Sequence, residues 1–226
     1  MKVKLVGITQ PVGFAVTGEI QTPEDLITYC ARVSNPSNQH NTITGDKLLS
    51  YMVKNRHWSP FEMVSVVMEI ETTRDIARQI LRHRSFSFQE FSQRYAAVAE
   101  MSEPREARWQ DPKNRQNSIE MNLDEAVDVG FKWAAKQTAL ASQAQEYYDW
   151  ALKNGIAKEQ ARVILPEGLT MSRMYMNGTL RSWMHYLELR TGNGTQKEHR
   201  EIAEACKKIL MKEFPFLENL WGSNLA

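Results

Sequence analysis

A change in hydrophobic period marks one stretch in the first half of the chain. Apolar residues recur at helical spacing through residues 76–81, which predicts a helix that begins near residues 73–75. Gln79, Arg82 and His83 are three and four residues apart, so they are neighbours on another face of that helix. The helix is therefore expected to end in a polar, basic corner.

The residues that follow alternate with a period of two. Side chains of different character alternate along residues 86–94, which is typical of a strand. If this stretch is extended, Glu90, Ser92 and Arg94 lie on one side of it, each about 6.6 Å from the next. A basic helix end next to a carboxylate, a hydroxyl and a guanidinium suits an anionic ligand with polar edges, such as a nucleotide.

The rest of the chain reads as a mixture of strands and helices. Alternation predicts further strands at residues 2–9, 64–73 and 170–175. Helical periodicity and capping signals predict helices at residues 22–33, 45–55, 123–154, 158–165, 180–190 and 196–212. Pro11 and Gly13 end the first strand, and Gly155 stops the long helix. The polar residues 99–118 predict a long loop, either a lid or a subunit contact.

Composition fits one globular domain over residues 1–226, with 42% hydrophobic and 24% charged residues. The net charge of +1 provides no global field to hold nucleic acid or a membrane surface. No apolar run approaches the roughly 20 residues of a membrane span, and the N-terminus has no signal-peptide core. Two cysteines, Cys30 and Cys206, are too few for a disulfide framework, so we expect a reducing, cytoplasmic location.

Residue types alone leave other functions open. A run of arginines on a helix is often just a solvated face. The arginines together with Phe86, Phe88 and Phe91 would also suit a nucleic-acid-binding module, although the near-zero net charge argues against it. A metalloenzyme would need ligand spacings such as His-Glu-x-x-His or paired cysteines, which are absent, so we expect no metal. Its candidate ligands would be His40, His57, His83, His185 and His199.

The order of the basic residues resembles a known family. Arg82-His83-Arg84 is followed after seven residues by Ser92, and the stretch continues as Gln93-Arg94-Tyr95. This arrangement is similar to the motif of the flavin-dependent thymidylate synthases.

The resemblance covers most of the chain, from about Ala31 to Arg200. His57-Trp58-Ser59-Pro60-Phe61-Glu62 resembles the family's second motif, although a lone His in a loop is more often a surface or capping residue. Residues 161–166 resemble its Ala-Arg-x-x-Leu-Pro element, in which Arg162 is the arginine. Residues 31–34 resemble a segment near the cofactor, but they equally fit a simple helix end.

The resemblance implies a fold and an activity. The fold is α+β, a twisted and mostly antiparallel sheet flanked by helices, one of them long, in a homotetramer with shared active sites. The activity is reductive methylation of deoxyuridine monophosphate (dUMP) to dTMP. Methylenetetrahydrofolate donates the carbon, and reduced FAD, recharged by NADPH, provides the hydride. Neither Cys30 nor Cys206 lies beside a visible base, which is consistent with a route that needs no cysteine nucleophile.

The resemblance also implies site residues. Arg190 promotes ionisation of the uracil ring, and His57 faces the flavin or the folate. The dUMP ligands are Gln79, Arg82, Glu90, Ser92, Gln93, Arg94, Arg162 and Arg190. The FAD ligands are Ser34, Ser59, Arg82, His83, Arg84, Glu90, Thr179, Arg181 and His185.

Three positions depart from the family pattern. Many members have Asn at the position of Thr179, and some have Asn at the position of His185. Several carry a His where this chain has Gly194. These departures concern flavin contacts and leave the expected nucleotide ligands intact.

Overall fold

The computed structural model describes residues 1–12, 20–98 and 101–221. Gly13, expected to end the first strand, and residues 99 and 100 of the expected loop lie outside the described residues. The strands are β1 (Lys2–Ile8), β2 (Ser65–Thr73), β3 (Ser87–Glu90), β4 (Arg108–Gln110), β5 (Ser118–Glu120) and β6 (Met171–Thr179). The α-helices are α1 (Pro23–Ala31), α2 (Gly45–Lys54), α3 (Arg74–Ile80), α4 (Leu123–Glu125), α5 (Phe131–Lys153), α6 (Lys158–Ala161), α7 (Leu180–Arg190), α8 (Lys197–Glu213) and α9 (Glu218–Trp221).

Four strands form the main sheet, in the order β1-β2-β6-β3, and every neighbouring pair is antiparallel. β2 and β6 are the central pair, with nine consecutive residue partners from Ser65↔Thr179 to Thr73↔Met171. β4 and β5 form a separate two-stranded ladder. The expected α+β fold with an antiparallel sheet flanked by helices is confirmed.

One face of the sheet is buried under helices. β2 alternates buried and half-buried residues along its length, and β6 does the same with buried and exposed ones, as period-two sequences on a half-covered sheet should. Helices α3, α7 and α8 pack on this face. Helix α7 contributes the i, i+3, i+4, i+7 stripe of Leu180, Trp183, Met184 and Leu187, all buried. The opposite face is polar and carries the ion pairs Lys4–Glu69 and Arg173–Glu71.

The long helix lies beside a second, smaller core. Helix α5 continues from α4 through a π-helical turn at Ala126–Gly130, so the helical stretch expected at residues 123–154 is present with a local widening. Tyr148 and Ala151 of α5 pack on Ala161, Leu165 and Val98. No helix among the described residues is both long and apolar enough to cross a membrane.

The expected strand at residues 86–94 is wrong in its second half. β3 ends at Glu90, and Tyr95 and Ala96 both donate backbone hydrogen bonds to the carbonyl of Ser92, which closes a turn. The physical reason is the turn itself. Phe91 still donates a backbone hydrogen bond to the Arg173 carbonyl of β6, but the Ser92 carbonyl then accepts from Tyr95 and Ala96 and the pairing with β6 stops. Glu90, Ser92 and Arg94 therefore do not form the row that the alternation predicted.

Three other expectations change in detail. β6 extends to Thr179, four residues beyond the predicted strand, because it is central and paired on both sides. The expected loop at 99–118 contains β4 and leads into β5, so it is largely a hairpin. The helix expected at 158–165 is a short α6 continued by a 3₁₀ turn at Arg162–Ile164.

Gly178→Ala is expected to destabilise the protein by about 1–3 kcal/mol, because a methyl group at this position would overlap the buried ring of Phe86. Gly7→Ala is the matched control in the same sheet, since its added Cβ would lie 3.7 Å from the nearest atom of Val67, an ordinary contact. Thermal melting of both variants measures the difference. Equal melting temperatures would contradict the close approach of β6 to Phe86.

Candidate active site

The ends of two helices bring His83 and Arg190 together. His83 follows the last turn of α3, and Arg190 is the final residue of α7. The Arg190 Nε donates a hydrogen bond to His83 Nε2 at 2.9 Å. Burial and the neighbouring Arg190 charge lower the pKa of His83 to about 4, so its ring is neutral at pH 7 and able to accept. Among the described residues, neither terminal nitrogen of Arg190 has a partner, which leaves a planar pair of donors for a ligand.

Gln79 lies in a partly buried hydrogen-bond cluster next to this pair. Its Nε2 donates to Gln196 Oε1 at 2.7 Å, and its Oε1 is 3.3 Å from His199 Nδ1. The Tyr186 hydroxyl is 3.0 Å from His199 Nε2. The rings of His83 and Tyr186 meet edge to face at 4.9 Å, so the Gln79 cluster and the His83–Arg190 pair are continuous.

Three members of this cluster were missed by sequence reasoning. Tyr186 and Gln196 were not singled out, and His199 was considered only as a possible metal ligand. Tyr186 and His199 lie on α7 and α8 among ordinary helix residues, and no motif spacing distinguishes them. Only the packing of α8 against α3 and α7 gives them a role. Among the described residues, no group of three or more His, Cys, Asp or Glu is arranged to hold a metal ion.

A second group surrounds Glu90. Its Oε1 accepts a hydrogen bond from Ser172 at 2.9 Å and is 3.8 Å from the Arg74 guanidinium. Gln93 is buried, and its Nε2 has no hydrogen-bond partner among the described residues. A buried amide without a partner costs free energy, so it marks a position where a ligand would be stabilising. A cavity of about 590 Å³ is lined by Glu90 together with Gln89, Phe91 and Arg173.

The turn after Glu90 places Ser92 and Arg94, two expected dUMP ligands, outside strand β3. Ser92 Oγ accepts a long contact from the Arg94 backbone at 3.4 Å. The exposed Arg94 side chain pairs with Glu159 of α6 at 3.3 Å. Arg94 therefore lies near the segment that carries Arg162.

A third group joins the expected flavin ligands Ser59, Arg181 and His185. Ser59 begins the 3₁₀ turn Ser59–Met63, and Arg181 forms a salt bridge to Glu62 of that turn. The His185 ring meets Trp58 edge to face at 5.3 Å. No hydrogen bond or salt bridge within the described ranges connects this group to either of the other two.

Thr179, Ser34 and His57 have simpler surroundings. Thr179 is the N-cap of α7, and its Oγ1 accepts from the Ser182 backbone at 3.3 Å, so its hydroxyl already has a structural role. Ser34 is exposed just after the end of α1. His57 is exposed and contacts Tyr51 edge to face at 5.8 Å.

Three expected ligands have free guanidinium groups. The side chains of Arg82, Arg84 and Arg162 make no hydrogen bond or salt bridge to any described residue, and Arg82 and Arg84 are exposed. Guanidinium groups suit phosphates because they offer paired donors and a permanent charge. This donor set fits ligands that carry phosphate.

The two thiols are poor nucleophiles. Cys206 is fully buried, and burial raises its pKa far above the ordinary value. Burial also raises the pKa of Cys30. Both thiols are therefore protonated at neutral pH.

Comparison with known proteins identifies relatives along almost the whole chain. Residues 16–216 match the family model described as "Thymidylate synthase complementing protein". The chain is 53% identical over 215 residues to a probable flavin-dependent thymidylate synthase of Paramecium bursaria Chlorella virus 1, covering 95% of this chain and 96% of the relative. It is 51% identical, over 95% of this chain and 96% of the relative, to a flavin-dependent thymidylate synthase of Synechocystis sp..

A solved structure is also similar. The UMP/dUMP methylase PolB from Streptomyces cacaoi, bound with 5-Br dUMP, matches with a TM-score of 0.79 and 26% identity. The match covers 98% of this chain and 94% of that chain.

Stability is expected to fall as the pH drops from about 6.5 toward 4. Folding holds the pKa of His83 at about 4 and that of His199 at about 3, below the ordinary value of 6.5, so the unfolded chain binds more protons in this window. The contribution of each neutral ring is present above pH 6.5 and is lost as the pH falls through the folded pKa.

His83→Gln removes one of these titrations and should reduce the loss of stability between pH 7 and pH 5. Urea unfolding at a series of pH values measures the slope for parent and variant. Identical slopes would contradict a neutral His83 in the folded protein.

Proposed function

The chain belongs to the flavin-dependent thymidylate synthases, and from that premise we propose that it converts dUMP to dTMP with methylenetetrahydrofolate, FAD and NADPH. The observation that carries this proposal is the pairing of Arg190 with a neutral His83. That contact fixes the guanidinium through its Nε and leaves both terminal nitrogens for a ligand.

Arg190 is suited to activate the uracil ring. Methylation at carbon five requires the ring to become nucleophilic, and without a cysteine adduct this needs polarisation or loss of the ring proton. Either change leaves negative charge on the uracil oxygens. A guanidinium is permanently charged and offers two parallel donors, so it stabilises such an anion well in a site that excludes water. The protonated thiols of half-buried Cys30 and fully buried Cys206 support a route without an enzyme nucleophile.

The residues proposed to hold dUMP lie around Gln79 and Glu90. Arg82, Arg94 and Arg162 would neutralise the phosphate, since charge-assisted bonds from arginine to phosphate are strong and bidentate. The unpartnered Nε2 of buried Gln93 supports a ligand beside it. The full proposed set is Gln79, Arg82, Glu90, Ser92, Gln93, Arg94, Arg162 and Arg190.

The free guanidinium groups support FAD as the cofactor, because a dinucleotide carries a diphosphate that such donors would bind. Reduced flavin supplies the hydride for the final step when it is bound. His83 Nε2 accepts the hydrogen bond from Arg190, so the proton of the neutral ring is on Nδ1, which can donate to a ligand. We propose His57 as a catalytic residue that faces flavin or folate. The proposed FAD ligands are Ser34, Ser59, Arg82, His83, Arg84, Glu90, Thr179, Arg181 and His185.

We further propose a homotetramer, located in the cytoplasm, whose subunits share the sites. Within the described residues of one chain, no hydrogen bond or salt bridge joins the side-chain group around Ser59 to the groups around Gln79 and Glu90. Helix α5 also exposes large apolar side chains, which a neighbouring subunit would cover. These exposed side chains are Phe131, Trp133, Leu140, Tyr147 and Trp150.

An absorbance spectrum and a tritium-release assay test the proposed function. The purified protein should show flavin absorbance and release tritium from dUMP labelled at carbon five when methylenetetrahydrofolate and NADPH are present. A colourless protein that binds no added FAD and releases no tritium would overturn the proposal.

Arg190→Ala is expected to reduce dTMP formation about 100-fold or more, the scale of losing one charge-stabilising donor. Reduction of flavin by NADPH should remain largely intact, because it does not require a charged uracil. Arg190→Lys should recover little activity, since the paired donors are lost. If Arg190 only stabilised the end of α7, the Lys variant would match the parent and the Ala variant would mainly lower the melting temperature.

Replacement of both cysteines, Cys30→Ala with Cys206→Ala, is expected to leave tritium release within a few-fold of the parent value. Cys206 is enclosed in the core, so the variant should melt at a lower temperature, by the cost of a small cavity. The assay is run well below that temperature. Loss of tritium release in a folded variant would show that a thiol takes part in the chemistry.

A further inference from the structure

A continuous chain of hydrogen bonds runs from the β4–β5 hairpin to helix α7. Arg108 of β4 forms a salt bridge to Glu198 Oε1, and Gln196 Nε2 donates to Glu198 Oε2 at 2.8 Å. Gln79 Nε2 donates to Gln196 Oε1 at 2.7 Å, and Gln79 Oε1 is 3.3 Å from His199 Nδ1. Glu198 and His199 are buried, with exposed fractions of 6% and 0%.

The carboxylate at one end sets the direction of every bond in the chain. Arg108 only donates, so the Glu198 carboxylate beside it accepts from Arg108 with one oxygen and from Gln196 with the other. Gln196 must then turn its NH₂ group toward Glu198 and its oxygen toward Gln79. Gln79 must in turn donate with its own NH₂ group, which leaves its oxygen facing His199.

The protonation of His199, at the other end of the chain, is consistent with this order of donors and acceptors. To bond the Gln79 oxygen, His199 must carry its proton on Nδ1. Burial and the Arg190 charge lower the pKa of His199 to about 3, so the ring is neutral and its Nε2 is an acceptor. Tyr186 supplies the matching donor, since burial raises the pKa of its hydroxyl well above the ordinary value and keeps it protonated.

We propose that Glu198, Gln196 and His199 are positioning residues that hold the Gln79 amide in one of its two orientations for nucleotide binding. This inference rests on the proposed function, in which Gln79 is a dUMP ligand. In the fixed orientation, one N–H and one oxygen lone pair of Gln79 remain for the nucleotide, each at a defined place. An amide that rotates freely can present its NH₂ group or its oxygen at either place. Binding must then fix one orientation, which costs entropy and weakens affinity.

Glu198→Gln tests the direction-setting role in the full-length protein. An amide at this position lets Gln196, and with it Gln79, turn either way. The dUMP dissociation constant, measured by calorimetry on the flavin-loaded protein, should rise about tenfold, the range of one hydrogen bond to a charged group. Glu120→Gln is the matched control, because it removes a carboxylate that also pairs at the start of α8, with Lys197, but lies outside the chain. It should bind dUMP like the parent.

The His199 variants test the other end without relying on Glu198. The Nδ2 of Asn takes the place of His Nδ1, so His199→Asn keeps a donor toward Gln79, whereas His199→Gln displaces it. Both variants alter packing of the buried ring, and melting temperatures check their folding. His199→Asn should bind dUMP more tightly than His199→Gln at similar melting temperature.

A double-mutant cycle with Gln79→Ala decides whether these residues act through Gln79. Glu198→Gln should cause no further loss of dUMP affinity when Gln79 is already Ala. The inference is overturned if Glu198→Gln binds dUMP as well as Glu120→Gln, or if its loss is undiminished in the Gln79→Ala background. It is also overturned, with the proposed function intact, if the parent binds dUMP and Gln79→Ala binds it equally well. A parent protein that binds no dUMP would instead overturn the proposed function.

Discussion

The long pairing of β2 with β6 is the constraint on which the rest of this structure depends. Nine consecutive partners fix the two strands antiparallel and side by side. Each strand runs directly into a helix, β2 into α3 at Arg74 and β6 into α7 at Leu180, so the two helices start at opposite ends of the pair. Their C-terminal ends are joined by the hydrogen bond from Arg190, the last residue of α7, to His83, which follows α3.

That meeting point produces the unusual contact between His83 and Arg190. A cation at a helix C-terminus is normally stabilised by the helix dipole and solvent. Here the guanidinium turns back to a neutral imidazole, so the pair retains the full arginine charge rather than sharing it with an acid. Among the described residues Arg190 has no acidic partner, and such a charge in a half-buried position favours an anionic ligand, because the ligand supplies that partner.

The hairpin and the helix that follows α7 hold this corner in place. Arg105, just before β4, bonds both Asp75 and Thr73 at the start of α3, and Arg108 reaches Glu198 in the first turn of α8. The segment that looked like a free loop in the sequence is thus anchored to the two helices that carry Gln79 and His199. A buried ion pair of this kind is weak evidence for stability, but it specifies which groups face one another.

The sequence by itself determined the kind of protein and most of its elements. Period-two and helical patterns are local properties of the chain, so they located β1, β2, α5 and α7 to within a few residues, and the Arg82-His83-Arg84 motif with Ser92 indicated the family. Tertiary structure decided where the strand after Phe86 ends, because its pairing with β6 stops at Glu90↔Met174 and the chain then turns at Ser92. It also decided the partners of Gln79, since Gln196 and His199 are more than a hundred residues away along the chain. Local periodicity contains no information about which distant side chains packing will place within hydrogen-bond distance, and that is why the partners of Gln79 are visible only in the folded protein.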